Sequence, residues 1–457
     1  MVRCCLPYQT AGSQSDKLRS DNLTGPLVRI APNILVTADT DLVRKINAVR
    51  SPYHRSDWYK AFRFDADREN AFSETDKDRH TALKSKLSPG YSGKENPNLE
   101  PDMDKVIMTF IDLIKKKYIS RGATTVPVDI GQKFQFLTLD IITCLGSGQP
   151  FGWLEDEDKY EYISTLEGAM PAMNFMSAVP ALSRLTRQPW VQRLILPKIK
   201  DRTGMGAVKG HAHAIIRRRI EANRLEKQPR NDMLQSMIEH GLSEGEIADD
   251  SLLQILAGSD TSGTVLRSAL ICAMANPRVY KKLQQEVCNA GVPADQIITY
   301  ARAQQLPYLS AVIKETMRWY PVNTGLNPKV AGPDGDEYNG MVIPPGTEVG
   351  YSAWALYRYN PVYGSDCHLF RPDRWIDTEP ERLAKMNAEW ELVFLTGRYK
   401  CLGERIARIE LAKCLFEIMR RFDYSHINPM KPLMKEDNYG LWMQRGLWVK
   451  IEELDVR

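Results

Sequence analysis

One cysteine in this 457-residue chain stands where chemistry is easiest to place. Cys401 lies in Phe394-Leu-Thr-Gly-Arg-Tyr-Lys-Cys401-Leu-Gly403, and Glu404-Arg-Ile-Ala-Arg-Ile-Glu-Leu follows directly. Apolar or small residues at 402, 406, 409, 412, 416 and 419 recur at three- and four-residue steps, which predicts a core-facing helix just behind the cysteine. A thiol at a helix N-terminus feels the positive end of the macrodipole, which favours the thiolate. Gly397 and Gly403 let backbone approach something large and flat, and Phe394 can pack beside it. Thiolate, open backbone and aromatic neighbour suit an axial ligand for haem iron. Alone, the cysteine would be a core thiol, because free Cys is among the most buried residue types. The full spacing F-x-x-G-x-x-x-C-x-G, opening a helix late in the chain, favours the ligand.

A second stretch breaks its own pattern. Residues 249–277 read as one long buried helix, capped by Asp249 or Asp250 and stopped by Pro277. Its middle, Gly258-Ser-Asp260-Thr261-Ser-Gly263, is small and polar where a buried helix wants Leu. Two glycines there cost about 1 kcal/mol each, and local inconsistency of this kind points to a functional site. One reading is a kink packed on a neighbour. The other is a groove: Gly258 leaves room, and Thr261 bonds the Ala257 carbonyl and loosens the helix.

These motifs resemble those of the cytochrome P450 family: A-G-x-D-T-S at 257–262 is similar to its oxygen-activation motif, and the cysteine loop to its haem-binding loop. The resemblance implies a mainly α fold with small β-sheets, haem b (iron protoporphyrin IX) lying between the long helix and the cysteine-loop helix. Cys401 would be the iron ligand, with Phe394 and Gly403 beside the haem. Thr261 and Asp260 would be catalytic, the hydroxyl on the oxygen side of the iron and the carboxyl linking a proton relay to solvent. His80 and Lys84, four apart on one helix face, match positions that hold a haem propionate, and Lys329 stands where an Arg meets the second one. Arg398 is carried over with them. Lys replaces Arg at 84 and 329, losing the planar fork, and Tyr399 stands where Arg or His is common. Leu395 replaces a glycine. Glu315 and Arg318, read locally, are an i,i+3 surface pair; the resemblance implies that they are buried with Arg374 as a lock behind the thiolate.

The remaining elements must hold these parts. Gly25 to Thr37 predicts a hairpin, Asp39 to Arg50 a short helix, and 52–72 a loop over a pocket. Ser73 or Thr75 would cap the helix carrying His80. Residues 100–146 read as two helices, the second (Phe134 to Leu145) buried apart from Asp140. The Met- and Pro-punctuated segment 160–200 is implied to roof the substrate pocket and touch a membrane surface. Residues 201–230, with Arg217-Arg-Arg219, read as a solvated face. Residues 322–327 are implied to line the pocket, 340–358 read as short strands, and the hairpin at 441–449 is implied to reach the pocket with its tip.

Bulk composition excludes other classes. The 61 basic and 57 acidic residues nearly balance, which argues against nucleic acid. Eight scattered cysteines read as reduced intracellular thiols, and seven histidines without C-x-x-C pairs argue against structural zinc. No stretch is long and apolar enough to span a bilayer. The chain reads as a polar segment, 1–24, and a single domain, 25–457, without repeats or linkers. The expected activity is that of a fungal haem-thiolate monooxygenase acting on an apolar secondary metabolite such as a terpenoid, polyketide or alkaloid. It would use O2 and electrons from an NADPH–cytochrome reductase docked near Lys400 and Arg398. The protein is expected as a monomer on the cytoplasmic face of the endoplasmic reticulum. Two rivals stay open: isomerisation or dehydration of a peroxide on the same fold, and a non-enzymatic haem protein.

Overall fold

The computed structural model describes residues 27–178, 180–186, 188–225 and 230–454, without the side chains at 173–174, 176–178, 180–181 and 183. The polar segment 1–24 and Cys4 and Cys5 lie outside the described residues. The strands are short: β1 (Leu27–Ala31), β2 (Ile34–Thr37), β3 (His54–Arg55), β4 (Val128–Asp129), β5 (Lys329–Val330) and β6 (Asp336–Tyr338), then β7 (Met341–Ile343), β8 (Glu348–Tyr351), β9 (Phe422–His426), β10 (Lys435–Asn438), β11 (Trp442–Arg445) and β12 (Trp448–Glu453). They form a five-stranded sheet ordered β1-β2-β8-β5-β3, a three-stranded sheet β4-β12-β9, and two hairpins. The longer helices are α1 (Thr40–Asn47), α2 (Lys77–Tyr91), α3 (Leu99–Lys117), α4 (Ile130–Ser147), α5 (Tyr162–Ala178), α6 (Gly204–Arg224), α7 (Glu244–Met274), α8 (Pro307–Trp319) and α9 (Glu404–Arg421). The mainly helical architecture with small separate sheets is the expected one.

α7 has 31 residues, a length of about 46 Å. It begins earlier than the sequence suggested. Ser243 and Glu246 form a capping box, the S-x-x-E signature of a helix start. Asp249 and Asp250 are not caps but buried anchors within the helix. Asp249 pairs with Lys209 at 3.0 Å and Arg68 at 3.1 Å, and Asp250 accepts the Ala71 N–H at 2.9 Å. α7 thereby tethers the loop before α2. That helix, in turn, is capped by Asp76, whose carboxylate accepts the N–H groups of Asp78 and Arg79. Ser73, expected as the cap, serves a tighter turn instead, its hydroxyl accepting the Asn70 N–H.

Gly258 and Gly263 of α7 face α4. A Cβ at Gly258 would fall 2.7 Å from the Ile142 side chain, and one at Gly263 would fall 2.8 Å from Gln135 Oε1. Thr138 of α4 also donates to the Ser259 carbonyl at 3.0 Å. The missing side chains admit a neighbouring helix, so packing explains Gly263, whereas Gly258 packs on Ile142 and also lines the cavity beside Thr261, as the groove reading expects. α4 itself is buried as expected, and Asp140 is satisfied there by the N–H groups of Gly152, Trp153 and Leu154.

α8 carries the lock. Glu315, Arg318 and Arg374 are all buried, with 2.8 Å from Arg318 to Glu315 and 3.0 Å from Arg374. The Arg371 N–H and Trp375 Nε1 complete the carboxylate. Burial pushes this carboxyl up, but the two guanidiniums outweigh it and hold it below its usual range. The surface-pair reading is thus replaced by a closed network.

Other expectations are corrected. The span 52–72 contains β3 and a 3-10 turn, Asp57–Phe62, rather than plain loop. Residues 353–356 form a helical turn after β8, not a strand. Arg219 is not solvated: it pairs with Asp232 at 2.8 Å, although Arg217 is exposed beside Glu244. The β10–β11 hairpin backs the pocket segment rather than lining the cavity, its Gly440 carbonyl accepting the Thr324 N–H, and Trp448 belongs to β12 in another sheet.

Candidate active site

A cavity of about 320 Å³, open in part to solvent, lies between α7 and α9. Pockets for one small ligand usually occupy about 300–1,000 Å³, and this cavity falls within that range. Cys401 lines it from the loop before α9, and Ala257, Thr261 and Val265 line it from α7.

The cysteine loop is shaped by two unusual backbone conformations. Leu395 has φ 58° and ψ 178°, a region that favours glycine. Gly397 has φ 62°, and a Cβ there would lie 2.2 Å from the Asn47 carbonyl oxygen. Gly397 therefore lets the loop pass under the end of α1, not under a cofactor. Gly403 lines the cavity and is the N-cap residue of α9. The Cys401 N–H donates to the Phe394 carbonyl at 2.8 Å. Phe394 lines the cavity and packs edge-on against Trp390 at 6.0 Å.

The Cys401 side chain is reached from the cavity although protein surrounds it. Burial raises its thiol above the ordinary value, while the N–H groups of Gly403 and Glu404 and the Lys84 ammonium pull it down without prevailing. The helix terminus alone does not yield a thiolate here; a bound metal cation would, because thiol ligands bind deprotonated.

Thr261 donates to the Ala257 carbonyl at 2.8 Å, the bond read from the sequence. This uses its proton and leaves its lone pairs as acceptors. Asp260 is not on the cavity wall. It accepts from Gln135 Nε2 on α4, and Gln135 Oε1 in turn accepts from Arg267 at 3.0 Å. Burial pushes the Asp260 carboxyl up to about 6, against Arg267 and Gln135, and its Oδ2 has no hydrogen-bond partner in the protein.

The expected propionate contacts are redistributed. Lys84 lines the cavity, donating to the Arg398 and Lys400 carbonyls at 2.8 and 2.6 Å. Burial, with Arg55 nearby, lowers its ammonium to about 8. His80 also lines the cavity, but burial and the surrounding cations push it down to about 3, so it is neutral. Lys329 is fully buried behind Tyr59 and Tyr399, donating to the Tyr59 hydroxyl at 2.7 Å and the Asn327 carbonyl at 2.9 Å. Arg398 does not reach the cavity. Its guanidinium ties the loop to α2 and α1 through Thr81 Oγ1, at 2.8 Å, and the carbonyls of Lys77 and Val49.

Sequence reasoning missed Arg55. It lines the cavity from β3, only 7% exposed, with Tyr59 and Tyr399 each 4.8 Å from its guanidinium carbon. It donates to the Ala71 and Glu74 carbonyls, and its Nε has no partner. An arginine in an aromatic stretch was the available signal, and nothing local tied it to a loop about 345 residues away. The hydrogen bonds of Arg55, Lys84 and Lys329 go to carbonyl and hydroxyl oxygens, not to carboxylates. Such a buried cation group fits a ligand that carries its own carboxylates. With a cysteine on the same cavity, the residues present fit haem.

Among the described residues of 162–195, no side chain lines the cavity, so the implied roof is not seen there. Val322, Asn323 and Asn327 do line it, and Phe72, Leu253 and Met317 make it largely apolar.

Residues 30–448 match the model of the Cytochrome P450 family. The chain is 37% identical over 431 residues to Cytochrome P450 monooxygenase ABA1 of Pyricularia oryzae, covering 93% of this chain and 83% of that relative. It is 34% identical to Cytochrome P450 monooxygenase aba1 of Botryotinia fuckeliana, covering 94% and 84%. Identity to Cytochrome P450 monooxygenase gsfF of Penicillium aethiopicum is 29%, covering 99% and 91%. The chain belongs to the cytochrome P450 family.

Proposed function

We propose that this cytochrome P450 monooxygenase inserts one oxygen atom from O2 into a C–H or C=C bond of an apolar secondary metabolite, with Cys401 as the thiolate ligand of haem. The observation that carries this reading is one cavity shared by Cys401, Thr261 and the cations Arg55 and Lys84. Haem, once bound, would supply oxygen binding and activation, with Cys401 contributing electron density to it. Cys401 holds the metal side, and Phe394 with Trp390 keeps the loop in place. Arg55 and Lys84 orient the cofactor's carboxylates, and Lys329, its ammonium pushed well down by burial and by Arg55, braces Tyr59 behind them. Thr261 Oγ1 accepts a hydrogen bond in the cavity, and Asp260 stores a proton at Oδ2, its affinity near neutral pH suited to both giving and taking. The mostly apolar lining, Phe72, Leu253, Val265 and Met317 with Asn323 as polar contact, suits a terpenoid, polyketide or alkaloid.

Electrons come from an NADPH–cytochrome reductase, and exposed Lys400 and Arg405 beside the cysteine loop are the docking charges. No described helix is long and apolar enough to cross a membrane. Phe175, Trp190, Leu194 and Ile195 are exposed, Trp190 by 61%, and this apolar surface supports peripheral contact with a bilayer, the endoplasmic reticulum by family expectation. Incubation with reductase, NADPH, substrate extracts and labelled dioxygen tests the reading. One labelled atom in the product is expected; substrate consumption without label would replace it with isomerase or dehydratase chemistry. Cys401→Ser is expected to abolish the red-shifted band of the reduced carbon-monoxide complex, and Thr261→Ala to retain haem while diverting electrons to free hydrogen peroxide.

A further inference from the structure

One buried acid on the cavity plays no part in that scheme. Glu410 of α9 is 2% exposed, and Ser262 Oγ of α7 donates to its Oε2 at 2.6 Å. Its other oxygen has no partner. Ser262 and Glu410 both line the cavity, one residue after Thr261 and nine after Cys401. Among the described residues no cation hydrogen-bonds to Glu410, unlike Glu315 or Glu417, which are each held by two arginines.

An unpaired carboxylate in such a place is strongly disfavoured, whereas the neutral acid is tolerated. The acid then carries its proton on Oε1 and accepts from Ser262 on Oε2. This bond joins the helix that follows the cysteine to the helix that carries Thr261. A shift of either helix by one turn would separate the two groups and leave both buried without a partner, a cost of about 1–3 kcal/mol. Buried polar pairs are well attested as devices that specify helix register.

We propose that Glu410 is a positioning residue held as an uncharged acid, and that its bond to Ser262 fixes the register of the cysteine-bearing side of the cavity against the Thr261 side. The inference rests on the placement of Cys401 and Thr261 about the cofactor. Burial pushes the Glu410 carboxyl up to about 8, with Ser262 pulling slightly down. The titratable groups nearby are otherwise engaged. On α9, Cys414 stays a buried thiol, Lys413 is paired with Glu100 and Asp104 of α3, and Glu417 with Arg420 and Arg421. On α7, Asp260 and Arg267 face Gln135; on α8, Glu315 and Arg318 face each other. On the helices at 277–288 and 300–303, Glu286 accepts from the Tyr308 and Leu309 N–H groups, Cys288 lies against the Arg420 carbonyl, and Tyr300 sits by Arg405 and Glu404. On β9, Asp423 holds Tyr280.

The test uses the haem-loaded enzyme and its Glu410→Gln, Glu410→Leu and Ser262→Ala variants. Infrared difference spectra at neutral pH should show a carboxylic-acid C=O stretch that is absent in Glu410→Gln and shifted in Ser262→Ala. Glu410→Gln keeps an acceptor for Ser262 and should retain the red-shifted carbon-monoxide band. Ser262→Ala and Glu410→Leu should raise the unshifted fraction about fivefold, the equivalent of one neutral hydrogen bond. The folded pKa is raised, so its contribution to stability is complete at low pH and lost as pH rises through about 8, roughly tenfold per pH unit on the way; Glu410→Gln should lack that slope. Absence of the acid band in the wild type, or an unchanged carbon-monoxide spectrum in Ser262→Ala, would overturn the proposal. Absence of the red-shifted band in the wild type would instead count against Cys401 as ligand and leave the infrared result standing. Should Glu410→Leu fail to fold, Ser262→Ala decides.

Discussion

Two buried charge groups sit on either side of the cysteine loop, and they are built on opposite plans. Around Glu315, one carboxylate meets Arg318, Arg374, the Arg371 N–H and the Trp375 indole, and the remaining guanidinium donors reach the Asp366 carboxylate and the carbonyls of Tyr357, Tyr363, Asp366, Cys367 and Leu369. This network closes on itself. Around Tyr399, Arg55, Lys84 and Lys329 gather with no carboxylate bonded to them; Glu74 acts on Arg55 only through its nearby charge and its main-chain carbonyl. A structural network completes its charges internally, because removing a buried ion from water costs several kcal/mol. A binding site leaves the deficit for its ligand to fill.

The largest effect should come from breaking the closed network. Glu315→Gln removes the carboxylate that two buried guanidiniums share, leaving Arg318 uncompensated and Arg374 with Asp366 alone, and should lower unfolding free energy by about 3–5 kcal/mol in urea denaturation. Arg55→Met should divide the two plans most sharply. Haem affinity in a binding titration should fall roughly 10-fold or more, the worth of charge-assisted hydrogen bonds, while stability without haem changes by about 1 kcal/mol or less. A loss as large as that of Glu315→Gln would make the Arg55 group structural too. A smaller effect concerns pH. The Lys84 ammonium is lowered to about 8, so it loses its proton in the folded protein before it would in the unfolded chain. Stability without haem therefore gains from this group as pH rises from about 8, whereas affinity for the carboxylates of haem declines. Lys84→Arg stays charged and should flatten that decline; an identical pH profile in the variant would remove Lys84 from the site. The smallest effect is local. Leu395→Gly relieves a conformation that costs a side-chain residue about 1–3 kcal/mol, offset by the entropy of glycine and lost packing, and should raise stability by about 0–1 kcal/mol.

The elements that were legible in advance share one property: their cause is local in sequence. The hairpin over β1 and β2, the buried α4, and α9 behind Cys401 follow from periodicity and turn residues within one window. Where the reading failed, a residue from elsewhere had intervened. Asp249 and Asp250 looked like caps until Lys209, Arg68 and the Ala71 N–H occupied them. Gly263 looked like open space until Gln135 filled it, whereas Gly258 lines the cavity and packs on Ile142 as well. Arg398 looked like a cofactor contact because it is three residues from Cys401, yet its donors reach α2 and the end of α1.

For the cysteine loop, sequence by itself was enough to identify the thiol, the glycine at 397 and the helix behind them, because a ligand on a tight turn needs particular residue types at fixed spacing. Sequence also set Asp260 next to Thr261 on one helix. Which way those groups face was decided only by tertiary structure. It turned Asp260 onto Gln135, placed Gly397 beneath α1, and brought Arg55 to Tyr399. The physical reason is that desolvation and charge are set by what surrounds a side chain in space, and those neighbours come from segments hundreds of residues apart.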